Sequence, residues 1–159
     1  MGLNALFLLC AQAEAEARFW SATECVLPPE VVLEVGGILN LDPGALLACT
    51  RRGEIWRIEE AWGGSPRATL WCDGLQEPLG LLALDGWVYC VQRGELSRIR
   101  DSDADGRADE FETVCDEWDI SGSYHEYAFG PARDRDGNFW VTLNRSFDAE
   151  PFGHMPWRG

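Results

Sequence analysis

Arg52-Gly53-Glu54-Ile55-Trp56-Arg57-Ile58 returns 41 residues later as Arg93-Gly94-Glu95-Leu96-Ser97-Arg98-Ile99, and this pair of heptads decides the fold class. Each copy follows a turn and an apolar run: Asp42-Pro43-Gly44 leads into Ala45 to Thr50, and Asp85-Gly86 leads into Trp87 to Gln92. A third turn, Asp136-Gly137, runs into Asn138-Phe139-Trp140-Val141-Thr142-Leu143. Glycine after Asp or Pro, set between runs rich in β-branched and aromatic residues, reads as a hairpin. The first repeat predicts strands near Ile38 to Leu41, Ala45 to Thr50, Glu54 to Glu59 and Ala68 to Cys72. The second predicts them near Leu79 to Leu84, Trp87 to Gln92, Glu95 to Arg100 and Phe111 to Cys115.

The turn glycines at 44, 86 and 137 lie 42 and 51 residues apart, and a repeat of that length with four short strands is the size of a propeller blade. The expectation is an all-β chain: a partial β-propeller of about two and a half four-stranded antiparallel blades. Leu96 and Ile99 would fall on opposite faces of one strand, as suits a sheet covered on both sides. Propellers close with at least about four blades and repeat stacks need caps, so the chain reads as the N-terminal part of something longer. The competing explanation is a ring completed by several chains. The expected layout is a degenerate or truncated signal peptide over 1–17, a lead-in over 18–36 and blades over 37–159.

The longer of the two intervals contains Asp101 to Glu112, which satisfies the twelve-residue calcium-loop pattern. Asp101, Asp103 and Asp105 hold positions 1, 3 and 5, Gly106 allows the sharp turn, and Arg107 offers its carbonyl. Asp109 binds directly or through water, and Glu112 closes the site with two oxygens. From Asp101 to Asp119 there are nine carboxylates and one Arg, a density of like charge that a divalent cation would relieve. The alternative is a solvated acidic turn without metal. The flanks are strand-like, so the expectation is an EF-hand-like loop inserted between strands rather than between helices.

With 159 residues and 46% hydrophobic residues the chain has enough for one globular core. A net charge of −14 argues against nucleic acid as a partner, because a phosphate backbone needs a basic face. All 13 basic residues are Arg, which excludes a Schiff-base lysine. Leu3 to Ala11 is an apolar run followed by small residues at cleavage spacing, but without a basic n-region. It is too short to span a bilayer and implies either an exported protein or a frayed N-terminus. Six cysteines show no zinc spacing; if Cys10 leaves with a leader, five remain. Cys49 and Cys90, each flanked by apolar residues, read equally well as buried hydrophobes.

Tyr124-His125-Glu126-Tyr127-Ala128-Phe129-Gly130-Pro131, followed by Asp134 to Arg145, resembles the PVC-type β-propeller membrane-bound dehydrogenases, distant relatives of the soluble glucose/sorbosone dehydrogenases. Val91 to Leu96, Asp101 to Glu112 and Ser146 to Gly153 are similar to that family too, and the resemblance covers roughly Pro28 to the end. It implies a periplasmic propeller that oxidises a sugar or an alcohol with pyrroloquinoline quinone and calcium, passing electrons to a cytochrome c or haem domain. His125 matches the family's proton-accepting base, although its spacing to Phe129 is shorter and Ala132 to Arg135 stand as an insertion before Asp136-Gly137.

From the residues themselves, His125 suits a general base because its ordinary pKa lies near neutrality, and Glu126 is placed to tune it; equally, such a His serves as a loop hydrogen-bonder. Asn144 and Arg145 would clamp a carboxylated cofactor or sugar hydroxyls, or satisfy loop carbonyls. His154 carries no usable signal. Two functions follow. One is a quinone-dependent sugar or alcohol dehydrogenase, inactive as this 159-residue piece. The other is a non-catalytic module for carbohydrate or protein binding in which calcium is structural, favoured by Trp118, Trp140 and Trp157.

Overall fold

The computed structural model describes residues 17, 19, 25, 27, 29–63, 65–118, 120 and 125–144. The leader up to residue 16, residues 121–124, Arg145, His154 and Trp157 lie outside the described residues.

Among the described residues there are ten strands and no helix. Strands β1 (Val35–Asp42), β2 (Ala45–Thr50), β3 (Ile55–Glu59) and β4 (Arg67–Cys72) form one antiparallel sheet in chain order. Strands β5 (Leu81–Leu84), β6 (Trp87–Val91), β7 (Leu96–Arg100) and β8 (Glu110–Cys115) form a second in the same order. A third sheet pairs β9 (Ala128–Arg133) with β10 (Phe139–Leu143). None of the three is closed. The three turn glycines are the reason the strands fold back where they do. Gly44, Gly86 and Gly137 have φ of 98°, 79° and 94°, a region where a side chain is strained.

Two differences from the sequence pattern have physical causes. The second sheet starts at Leu81 rather than Leu79, because Leu79 is engaged on both sides. Its N–H donates to the Val91 carbonyl (3.0 Å) and its carbonyl accepts from Gly130 N–H (3.3 Å). The pattern also located only the second strand of the third sheet, since Gly130-Pro131 inside β9 reads as a turn in sequence.

One backbone bond recurs in all three sheets. A residue just past the second strand donates its N–H to a carbonyl ahead of the first strand: Arg51 to Glu34 (2.9 Å), Arg93 to Gln76 (3.0 Å) and Asn144 to Tyr127 (2.8 Å). These partners are offset by 42 and 51 residues, the same intervals as the turn glycines, so the sheets are structural copies. Their first strands meet at glycines. A Cβ on Gly37 would lie 2.7 Å from Gly80 Cα, and one on Gly80 would lie 1.8 Å from the Gly130 carbonyl oxygen.

The sheets stack face to face. Leu47, Cys49, Ile55 and Trp71 of the first sheet share a core with Val88, Cys90 and Ile99 of the second. Trp87, Tyr89, Val91 and Leu96 pack instead with Ala128, Phe139 and Val141 of the third. Leu96 and Ile99 therefore do serve opposite faces of β7, and the second sheet is covered on both sides. The other face of the first sheet, through Leu46, Ala48 and Ile58, packs with Leu27 and Leu33 from the lead-in. Cys49, Cys72 and Cys90 are buried free thiols. Burial pushes all three pKa values up, that of Cys72 to about 12, so they serve as core hydrophobes.

The residues that stood as an insertion before Asp136-Gly137 belong to the β9–β10 hairpin, and Asp134 ties it. Its carboxylate accepts from Asn138 Nδ2 (3.0 Å), Trp140 Nε1 (2.8 Å) and the backbone N–H of Asn138 (2.9 Å) and Asp136 (3.0 Å). These donors favour the charged form and hold its pKa at about 2, below the ordinary 3.8. A depressed carboxylate stabilises the fold above its unfolded pKa and loses that effect as pH falls through its folded one. Asp134→Asn should therefore lower the chemical-denaturation midpoint at pH 6, with the gap from wild type closing between pH 3.8 and about 2. A gap of constant size down to pH 2 would refute the assignment.

Candidate functional site

Two places gather functional side chains. The first is the turn between β7 and β8. Asp101, Asp103 and Asp105 bring one carboxylate oxygen each within 4.8 Å of the others. The loop holds this arrangement by its own N–H groups: Gly106 donates to Asp101 (2.9 Å), Arg107 to Asp105 (2.8 Å), and Asp105 to both Asp101 (3.2 Å) and Asp103 (3.3 Å). Asp109 and Glu112 also have partners of their own. Asp109 accepts from Ser102 through N–H (2.7 Å) and hydroxyl (2.6 Å), which lowers its pKa. Glu112 lies opposite Arg98 across the β7–β8 ladder and accepts from its Nε at 2.7 Å. The Arg107 side chain reaches Asp73 (3.2 Å) beyond the end of β4, and Ala108 N–H donates to the Trp71 carbonyl (2.8 Å). This acidic turn thus also ties the second sheet to the last strand of the first.

The second place is an open cleft of about 470 Å³ where the first strands of the sheets meet, lined by Glu34, Val35, Gly36, Arg51, Leu79, Tyr127 and Phe129. The first and third sheets contribute equivalent positions, Glu34 with Tyr127 and Gly36 with Phe129, and the second contributes Leu79 just ahead of β5. Arg51 pairs with Glu34 at 3.4 Å, and this bond, with a further one to Tyr127, raises the guanidinium pKa. Tyr127 and Phe129 stand tilted at 54° with centroids 6.4 Å apart, and Arg93 lies 5.9 Å over the Tyr127 ring. The cleft therefore joins an aromatic wall to a carboxylate–guanidinium pair, a set able to stack a ring and hydrogen-bond hydroxyls.

His125 is exposed, two residues before Tyr127, whereas the neighbouring Glu126 is buried. Asn144 is placed by its own contacts: Nδ2 donates to the His125 carbonyl (3.0 Å) and its N–H to the Tyr127 carbonyl. Of the two readings of Asn144, the structure supports the loop-carbonyl one. No family model, curated protein or solved structure matches this chain.

Sequence reasoning missed Glu34 and Arg51. A signal was present, because Arg51 stands 42 residues before Arg93, and Arg93 stands 51 before Asn144, the intervals that separate the turn glycines. None of the described residues forms a helix long and apolar enough to cross a membrane.

Proposed function

We propose that the three sheets are successive blades of a β-propeller, fanned about an axis through their first strands, and that the cleft on this axis binds a sugar or an alcohol. The observation that carries this reading is the convergence on one cleft of Glu34 and Arg51 from the first sheet, Leu79 from the approach to the second, and Tyr127 with Phe129 from the third. Aromatic faces pack on the apolar side of a sugar ring, while Glu34 accepts from hydroxyls and Arg51 donates to them. Calcium is structural in this reading. Asp101, Asp103 and Asp105 would hold the ion where the second sheet is tied to the first, on the far side of that sheet from β5. Three strand spacings, about 14 Å, separate β8 from β5, so the ion stiffens the tie and does not touch the ligand.

A carboxylated quinone needs a cationic cradle, and the described residues do not fit one. At the cleft Arg51 is paired with Glu34, Arg93 with Glu77 (3.3 Å), and the Asn144 amide is spent on the His125 carbonyl. Oxidation of the bound alcohol is the second reading: an external two-electron acceptor of the quinone class would take the hydride, and the exposed His125 imidazole, two residues from Tyr127, would take the hydroxyl proton.

Calorimetric titration with a panel of aldoses and polyols, in calcium and in chelator, tests both halves. Binding is expected in both buffers and should weaken about tenfold or more in Arg51→Ala, while chelator lowers thermal stability only. No heat with any of the panel, or an unchanged Arg51→Ala, would reject the cleft. An unchanged melting temperature on adding calcium would reject the metal. Dye reduction by the quinone-supplemented chain, lost in His125→Ala, would move the assignment to the oxidative reading.

A further inference from the structure

Tyr127 and Phe129 stand two residues apart at the entry to β9, and Ala128 between them is buried against the second sheet. Alternation along extended backbone therefore turns both aromatic rings to the other side, where they line the cleft. Their centroids are 6.4 Å apart and their planes are inclined by 54°. A stacked ring lies parallel with the face it covers, so one ring cannot stack on both planes at once. Two rings joined by a short linkage can, provided that the second is turned against the first. At about 470 Å³ the cleft has the size of sites, about 300–1,000 Å³, that take ligands larger than a single hexose.

Charge narrows the ligand further. Arg51 pairs with Glu34 (3.4 Å), and Arg93, which lies over the Tyr127 ring, pairs with Glu77 (3.3 Å). Both guanidinium groups beside the aromatic wall are thus offset by carboxylates, and the net charge of −14 on the whole chain repels anions. Among the described lining residues no cation is in surplus for a sulfate or a uronate. Hydroxyls, in contrast, find an acceptor in Glu34 and a donor in Arg51.

We propose that the cleft takes a neutral oligosaccharide joined through axial linkages, with successive sugar rings stacked on Tyr127 and on Phe129. The assignment rests on the sugar-binding reading of the cleft and adds to it chain length, linkage and charge. In a chain joined through equatorial bonds, as in the cello-oligosaccharides, successive rings keep their faces parallel and only one lies flat on this wall. An axial bond, as in the malto-oligosaccharides, turns each ring against the last and so matches a tilted pair.

Calorimetric titration of the 159-residue chain with glucose, maltotriose, cellotriose and trigalacturonate separates the alternatives. Maltotriose is expected to bind about tenfold or more tighter than glucose, the effect of a second stacked ring, and cellotriose no tighter than glucose. Trigalacturonate, also joined through axial bonds but anionic, should bind more weakly than maltotriose. Phe129→Ala removes one ring at a 43% exposed position and should bring the maltotriose-to-glucose affinity ratio towards unity. Trp62→Ala, at an exposed Trp in the β3–β4 connection, should leave that ratio unchanged. Circular dichroism verifies that each variant is folded, and the comparison among ligands on the wild-type chain needs no variant. Equal affinity for maltotriose and glucose, cellotriose as tight as maltotriose, trigalacturonate the tightest, or a ratio unmoved by Phe129→Ala would each overturn the proposal and leave the sugar reading standing. Absence of heat with every saccharide would remove both.

Discussion

Gly80→Ala is expected to remove most of the stability of this chain. A methyl group there would sit 1.8 Å from the Gly130 carbonyl oxygen, a backbone atom that cannot rotate away, and the residue's φ of 141° is unsuited to any side chain. Strain at such a φ costs about 1–3 kcal/mol and overpacking costs a similar amount. Together they approach about 3–5 kcal/mol, against a total of about 5–15 kcal/mol for an ordinary domain. Gly86→Ala is the control. It too has positive φ, 79°, but nothing within 4 Å of the added carbon, so only the strain of about 1 kcal/mol applies. Urea unfolding followed by tryptophan fluorescence should rank them in that order. Equal losses for the two variants would mean that the first strands are not packed backbone to backbone.

The second large effect belongs to Ile99, which is fully buried between the first and second sheets. Ile99→Ala deletes buried methyl groups and leaves a cavity, at a cost of about 2–5 kcal/mol. At a urea slope near 1.5 kcal/mol per molar, the unfolding midpoint should fall by roughly 2 M. Phe111, its cross-strand partner on β8, is 49% exposed, and truncating it should cost about 1 kcal/mol. Ile99 and Phe111 share one face of the sheet, so if Phe111→Ala proved the more damaging, the core between the first two sheets would centre on β8 rather than on β7.

The strand order was legible because the turns announce themselves. An Asp-Gly or Pro-Gly pair fixes a hairpin locally, and the Arg-Gly-Glu heptads mark the third strand of two sheets. What stayed hidden depends on distant partners. Glu112 satisfies the twelfth position of a calcium loop, yet once β7 and β8 pair in register Arg98 stands opposite it and takes its carboxylate. The loop pattern alone carries no trace of that competition. The Gly130-Pro131 pair looks like a turn and lies inside a strand, where Gly130 has a φ of 126° and a Cβ on it would lie 3.0 Å from the Trp140 carbonyl oxygen. Glu34 and Tyr127 share a cleft only because equivalent points of the first and third sheets converge, which no single stretch reveals.

The acidic turn marks where this architecture tolerates growth. It joins the third and fourth strands of its sheet with nine residues, 101–109, against seven, 60–66, in the first sheet, while the tight backbone contacts lie among first strands, so the two extra residues leave the Gln76–Arg93 and Tyr127–Asn144 bonds intact. Insertions at the periphery are thus absorbed without disturbing the centre, and the β3–β4 connection around the exposed Trp62, which carries no proposed ligand, is the natural place to graft an epitope or reporter onto this scaffold.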